Sequence, residues 1–355
     1  MSKSSGWPRA ILHVDMDAFY VNVHLLEHPE DAALPLVVGG RPQQRGVVAS
    51  ASYEARALGI HSAMPTSQAV QLCPELKIVG VNRQRVQECS RQIMLILAEY
   101  GPLEQVSVDE AYIDLSQQVA PVRLSDTIRQ RVKLETGLPA SVGLATSKLV
   151  AKVASEQDKP EGRTIVLPGT EAAFLAPLPV RVIWGIGPRT AERLAQLGIA
   201  TCGQLAQADL TIVRAAVGNH AEELQARAQG IDNRAVISER GPARSISAER
   251  TFDQDMRAAA FLQEQLQLMC AQVGKSLRQE GLAAHTVVVK FRWPDFTTFT
   301  RQKTVHAGIT SDADIYSLAH AIWQEHWPPG QPVRLLGVAV TKLTAPMLQQ
   351  MAFEF

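Results

Sequence analysis

The segment AILHVDMDAFY constrains this chain more than any other. Its short apolar run, Ile11 to Val14, reads as a buried strand whose end carries Asp15 and Asp17. Most Asp and Glu side chains are solvated surface groups. Acids that end a buried apolar strand are a different case, because an unpaired charge taken out of water is costly. Further on, VSVDEAYIDLS alternates like a second strand, with Asp109 and Glu110 in its middle. Adjacent positions in one sheet would bring Asp15, Asp109 and Glu110 together. Three carboxylates without His or Cys suit a hard, oxygen-seeking cation, Mg²⁺ or Mn²⁺. Two such ions, about 3.5–4 Å apart, activate an attacking oxygen and stabilise a leaving one in phosphoryl transfer.

The rest of the chain supplies a setting for that site. PLVVGG is a strand stopped by Gly39 and Gly40, and Arg41 to Gly46 form a basic loop. Helices are predicted over 52–58, between Pro65 and Pro74, and over 84–100. ASVGLATSKLVAKVASEQDKPEG reads as strand, helix and Pro/Gly stop. Near Phe174 the character changes, and residues 174–230 are helical with short turns. Residues 234–244, with Gly241 and Pro242, form a polar linker. From Ser245 to Leu343 strands interleave with two helical stretches, a separate small α+β domain, and a short tail ends on hydrophobic residues. At about 100–200 residues per domain, 355 residues make two to four domains.

Composition narrows the classes. The hydrophobic fraction of 46% excludes wholesale disorder. Lys+Arg and Asp+Glu are both 35, so any nucleic-acid binding must come from local charge separation. The four cysteines form no CxxC or zinc-ligand pair, which fits a reduced compartment, with the cytoplasm as default. No apolar run reaches the roughly 18 residues of a membrane span.

Three further constellations suit phosphate. In SASYEARALGI, Tyr53 and Arg56 lie three apart on one helix face, and Ser50 offers another hydroxyl; alone, the segment also reads as an ordinary amphipathic helix start. Lys159 in DKPEG is either a phosphate contact or a solvated loop lysine. In GIGPRTAERLAQLGI, Gly185, Ile186 and Gly187 precede a helix opened by Pro188, so backbone N–H groups face an anion, or the segment is a plain packing motif.

These motifs occur in one order: HVDMDAFY, GVVASASYEARALGIHSAMP, SVDEAYIDLS, SVGLATSKLVAKVAS with DKPEG, and GIGPRTAERL. Together with GIDNRAVISERGPARSISAERTF they resemble a Y-family DNA polymerase of the DinB branch, from about Ile11 to Leu343. The resemblance implies an α+β multidomain right-hand polymerase with four domains. They are a mixed-sheet palm (1–23 and 78–165), small fingers (24–77), a helical thumb with a helix-hairpin-helix (166–233) and, after the linker, an α+β little finger (245–343). It implies metal binding by Asp15, Asp109, Glu110 and the Met16 carbonyl, with two Mg²⁺ replaceable by Mn²⁺, and leaves Asp17 behind the site. The backbone amides of Phe19 and Tyr20, with Ser50, Tyr53, Arg56 and Lys159, would hold the triphosphate. Tyr20 would be the steric gate against a 2′-hydroxyl, and Val37, Ala49, Ala51 and Ala63 would line the nascent base pair. Small residues there imply low fidelity and tolerance of damaged templates. No further acidic cluster is available for proofreading.

DNA contacts are implied at Gly185, Ile186, Gly187, Arg244 and Arg334, the last where some relatives carry several arginines. The tail residues Gln350, Met351, Phe353 and Phe355 resemble the family's sliding-clamp peptide, with Met and Phe in place of leucines. Expected partners are primer–template DNA, deoxynucleoside triphosphates and the clamp, for a monomer without membrane contact. Two other readings are a nucleotidyl cyclase, whose sheet also ends in paired acids, and an inactive DNA-binding relative. The hairpin and the long C-terminal domain speak against the first, the intact carboxylates against the second.

Overall fold

The run Ile11–Met16 is the central strand of a five-stranded sheet in a computed structural model that describes residues 6–239 and 241–345. Two compact units form, one from residues 1–39, 48–64 and 69–240, the other from 40–47, 65–68 and 241–355.

In the first unit the strands are, in chain order, β1 (Ile11–Met16), β2 (Leu36–Gly39), β3 (Val48–Ala51), β4 (Lys77–Val79), β5 (Leu103–Gln105), β6 (Glu110–Asp114), β7 (Ala140–Ala145) and β8 (Arg163–Ile165). The larger sheet has the order β5-β6-β1-β7-β8, with only β7–β8 parallel. Side chains alternate between its faces. Leu12, Val14, Met16, Ile113, Val142 and Leu144 face helices Arg83–Ala98 and Pro121–Thr136. Ile11, Tyr112 and Ala145 face helix Lys148–Ser155, whose core continues into the short helices between Glu171 and Ala228. Both faces are therefore covered, which is why apolar residues of β1 fall on both of them, Ile11 on one and Leu12, Val14 and Met16 on the other.

Gly143 sets how closely helix Lys148–Ser155 lies on the sheet. A Cβ there would run into the Ala151 carbonyl oxygen and the Ser155 amide, both backbone. A smaller sheet, β3-β2-β4, stands apart with its own core of Val37, Val48, Ala51 and Ile60. The boundary expected between 77 and 78 falls inside β4, which pairs with β2. The short strands β4, β5 and β8 carry little alternation and did not stand out in the sequence.

In the second unit β9 (Ser245–Met256), β10 (Ala284–Arg292), β11 (Thr298–Ile309) and β12 (Val333–Thr341) form an antiparallel sheet ordered β11-β10-β12-β9. Helices Ala259–Gln279 and Asp312–His326 pack on one face against Val287, Val289 and Phe291. Lys290 and Arg292 alternate to the other face, where Lys290 pairs with Glu249 at 2.7 Å. All four cysteines, Cys73, Cys89, Cys202 and Cys270, are free and buried. Among the described residues no helix is long and apolar enough to cross a membrane.

Candidate active site

The acids gather at one end of the larger sheet. Asp15 pairs with Glu110 across β1–β6, and the Met16 amide donates to the Asp109 carbonyl at 2.9 Å. Strand pairing thus brings Asp15, Met16, Asp109 and Glu110 to one place. Asp109 does not lie mid-strand as expected. It sits in the bend before β6, where its amide and carboxylate both bond the Ser107 hydroxyl, and Glu110 opens the strand. The bend is needed to close the β5–β6 hairpin, and it frees the Asp109 side chain from strand alternation.

Each carboxylate has its own electrostatic setting. Glu110 Oε1 faces His13 Nε2 at 3.1 Å and the Lys152 ammonium. Burial pushes Glu110 up, but His13 and Lys152 outweigh it and hold the carboxyl at about 2. Asp15 pairs with Lys159 at 2.8 Å, yet burial dominates and pushes its carboxyl up to about 7. Glu156 and Asp109 add to that rise, as like charges do. Burial holds the His13 imidazole below its ordinary value.

The donor set tests the expected metal. Three carboxylates and a backbone carbonyl supply only oxygen, as hard divalent cations require. Lys159 on Asp15 and Lys152 on Glu110 put positive charge where that chemistry calls for it. Among the described residues no three His, Cys, Asp or Glu side chains already form a cage. The residues therefore fit the cation by chemistry and placement, with their side chains turned onto internal cations.

Asp17 is buried, and its carboxylate is fully committed. Its Oδ1 accepts from Ser141 Oγ at 2.8 Å and Tyr53 OH at 3.4 Å, and its Oδ2 accepts from the Glu161 amide at 2.8 Å. That network fixes the loop presenting Lys159. It also joins Tyr53 to the sheet, so Asp17, Tyr53, Arg56 and Lys159 form one constellation. The Arg56 guanidinium lies 4.8 Å from the Tyr53 ring centroid, and its Nε donates to the Ala51 carbonyl at 3.0 Å. Burial and Asp17 push the Tyr53 hydroxyl up to about 12, so it acts as a donor.

Ala18 holds a left-handed conformation, φ 39° and ψ 47°, and turns the chain into helix Phe19–Leu25. The first amides of a helix have no acceptor inside it, and Phe19 and Tyr20 open this one. The Tyr20 ring is half-buried, with its centroid 6.0 Å from that of Phe19.

Ser50 is buried on β3. Val37 and Ala51 pair in the smaller sheet and are fully buried in its core, so only Ala49 and Ala63 of the four base-pair residues present surface. Gly185 has φ +101°, which favours glycine, whereas Gly187 has φ −81° and a Cβ there would meet open space. Within the chain itself, backbone geometry favours glycine at Gly185 and places no such demand at Gly187. Ile186 between them is buried. Arg244 is exposed. Arg334 lies 4.3 Å from the Phe296 ring centroid, and burial and neighbouring Arg45 hold it below its ordinary value. Gln350, Met351, Phe353 and Phe355 lie outside the described residues.

Sequence reasoning missed His13, Lys152 and Glu156. His13 shares the β1 face with Asp15 by period two, which is a usable signal. Lys152 and Glu156 reach the site only through the packing of their helix on β7.

Residues 14–156 match the impB/mucB/samB family, 243–353 its C-terminal domain and 168–199 its helix-hairpin-helix motif. The chain is 41% identical over 347 residues to "DNA polymerase IV" of Dehalococcoides mccartyi, covering 96% of this chain and 89% of that one. It is 40% identical to "DNA polymerase IV" of Halorhodospira halophila, covering 98% of each. Among solved structures it is similar to a Y-family DNA polymerase chimera of Dbh and Dpo4, with TM-score 0.83 and 24% identity over 94% of this chain and 99% of that one. It is also similar to DinB from Sulfolobus solfataricus, with TM-score 0.64 and 25% identity over 95% of this chain and 99% of that one. The fold is the right-hand polymerase plan of palm, fingers, helical thumb with helix-hairpin-helix, and little finger. The chain belongs to the impB/mucB/samB family, the Y-family DNA-directed DNA polymerases of the DNA polymerase IV branch.

Proposed function

We propose that the chain extends a primer by two-metal nucleotidyl transfer at Asp15, Asp109 and Glu110, past damaged template bases and without proofreading. The observation that carries this reading is the β1–β6 register, which sets Asp15 opposite Glu110 with Asp109 bonded beside Met16. Two Mg²⁺ ions, when bound, would ease deprotonation of the attacking 3′-hydroxyl and stabilise the negative charge on the leaving pyrophosphate. The protein's own groups do the positioning. Tyr53, Arg56 and Lys159, held through Asp17, clasp the triphosphate as charge-assisted donors, with Ser50 and the Phe19 and Tyr20 amides beside them. The Tyr20 ring excludes a 2′-hydroxyl, a role read as the deoxy-to-ribonucleotide kcat/KM ratio of Tyr20→Ala.

Ala49 and Ala63 give the base pair a weakly constraining wall, and weak constraint means weak discrimination. Palm 1–23 and 78–165, fingers 24–77, thumb 166–233, linker 234–244 and little finger 245–343 are the working divisions. Gly185, Ile186, Gly187, Arg244 and Arg334 serve DNA. The enzyme acts as a cytoplasmic monomer, tethered to a sliding clamp by Gln350, Met351, Phe353 and Phe355. Loss of clamp stimulation on deleting 350–355 is the check on the tether.

The central test is single-nucleotide incorporation by Asp109→Asn and Glu110→Gln. Activity should fall on the order of 10³-fold, the scale for removing one group that stabilises developing charge. Primer–template Kd should stay within about two-fold, because phosphate contacts elsewhere dominate affinity. Near-normal extension by either variant would overturn the assignment.

A further inference from the structure

We infer that His13 is a positioning residue that sets the orientation of the Glu110 carboxylate. The inference rests on the reading of Glu110 as a carboxylate of the reaction. His13 is fully buried on the central strand, on the same face as Asp15. Its Nε2 lies 3.1 Å from Glu110 Oε1, and since a carboxylate only accepts, the ring carries a proton there. On the far side, Nδ1 lies 2.7 Å from Ser155 Oγ, which is itself 2.8 Å from the Lys152 carbonyl oxygen. The Tyr112 ring, 4.6 Å away between centroids, flanks the imidazole. The ring is thus held at both nitrogens and along one side.

The brace depends on a glycine. Gly143 stands opposite His13 on β7, and its missing side chain lets helix Lys148–Ser155 approach until Ser155 reaches the ring. The same helix sends Lys152 to the same Glu110 oxygen. Among the described residues, the side-chain hydrogen bonds to Glu110 from His13 and Lys152 both end on Oε1. That fixes one oxygen and aims the other, Oε2, away from the brace. His13 thus engages one of the three acids assigned to the reaction. Partners of this kind, one bond behind a ligating group, typically change metal affinity or activity by about 10–100-fold.

The test uses the full chain with primer–template DNA. His13→Phe keeps a planar ring beside Tyr112 and removes both nitrogens, while His13→Gln restores one donor. Ser155→Ala leaves the imidazole in place and cuts only its far anchor. Three quantities are read: kcat against KM for the nucleotide, primer–template Kd, and Mn²⁺ affinity of the enzyme–DNA complex by paramagnetic resonance. His13→Phe should lower kcat and Mn²⁺ affinity by about ten-fold or more, with KM and Kd within about two-fold. His13→Gln should recover part of the loss, and Ser155→Ala should fall between wild type and His13→Phe.

Unchanged kcat and Mn²⁺ affinity in His13→Phe would overturn the inference, and so would a Gln variant no better than Phe. If His13→Phe fails to fold, Ser155→Ala decides, and wild-type kcat there overturns it. Glu110→Gln separates the two readings. An active Glu110→Gln enzyme defeats the assignment of Glu110 itself. An inactive one beside normal His13 and Ser155 variants defeats only the positioning role.

Discussion

The two large sheets of this molecule solve the same problem in opposite ways. The five-stranded sheet is covered on both faces, and its charged groups sit where water is scarce. Its site acids have named partners: Asp15 has Lys159, Glu110 has His13 and Lys152, Asp109 has Ser107, and Asp17 has Ser141 and the Glu161 amide. The four-stranded sheet of the second unit is covered on one face, and its charges, such as Lys290 and Glu249, stand on the other. Buried charges are costly unless satisfied, so the first sheet specifies each side chain individually. Solvated charges cost little and contribute little singly, so the second sheet leaves them interchangeable.

The comparison breaks most directly at two strand glycines. Gly143→Ala should destabilise the first unit by about 3 kcal/mol or more, because backbone atoms of a packed helix occupy the space its Cβ needs. Chemical denaturation followed by circular dichroism reads this, and a loss below about 1 kcal/mol would mean the helix yields easily. Gly337→Ala is the counterpart. Its Cβ would lie 3.0 Å from the Glu249 Cβ and 3.5 Å from the Lys290 Cβ, both on the open face. A Cβ moves only with its backbone, so the strands must give by a few tenths of an ångström, a smaller displacement than Gly143 demands, and the expected cost is about 1 kcal/mol by the same measurement. A loss as large as that of Gly143→Ala would erase the distinction.

The smallest effect belongs to a single open-face charge. Lys290→Ala removes the partner of Glu249 without burying anything. Its primer–template Kd, measured as a function of salt, should rise no more than a few-fold, with the slope shallower by at most about one ion. A change of a hundred-fold would show that this face also uses individually specified charges.

Legibility from sequence followed the same division. Strand β1 and its acid were readable because burial on both faces leaves a mostly apolar run, and a charge at its end stands out. The strands of the second unit were readable as β-rich segments that interleave with two helical stretches. Asp109 falls just before its strand and not within it, because the bend depends on Ser107 and on pairing with Met16, more than ninety positions away in the chain. The brace around Glu110 was invisible for the same kind of reason. His13, Gly143 and Ser155 meet only once β1 lies beside β7, and no local pattern announces that pairing. The two hairpin glycines looked equivalent as letters and differ by the sign of one dihedral.

The placement of the cysteines has a practical consequence. All four thiols are buried, and burial pushes Cys202 up to about 11 and Cys270 up to about 12, where almost no thiolate exists at neutral pH. The thiolate is the species that reacts with maleimides and iodoacetamides. The native chain is therefore close to silent toward such reagents while it stays folded. One cysteine introduced at an exposed position such as Leu134 or Ile212 would take a fluorophore or spin label almost alone. Optical or pulsed-resonance distance measurements could then start from the unaltered background, without first replacing the natural cysteines.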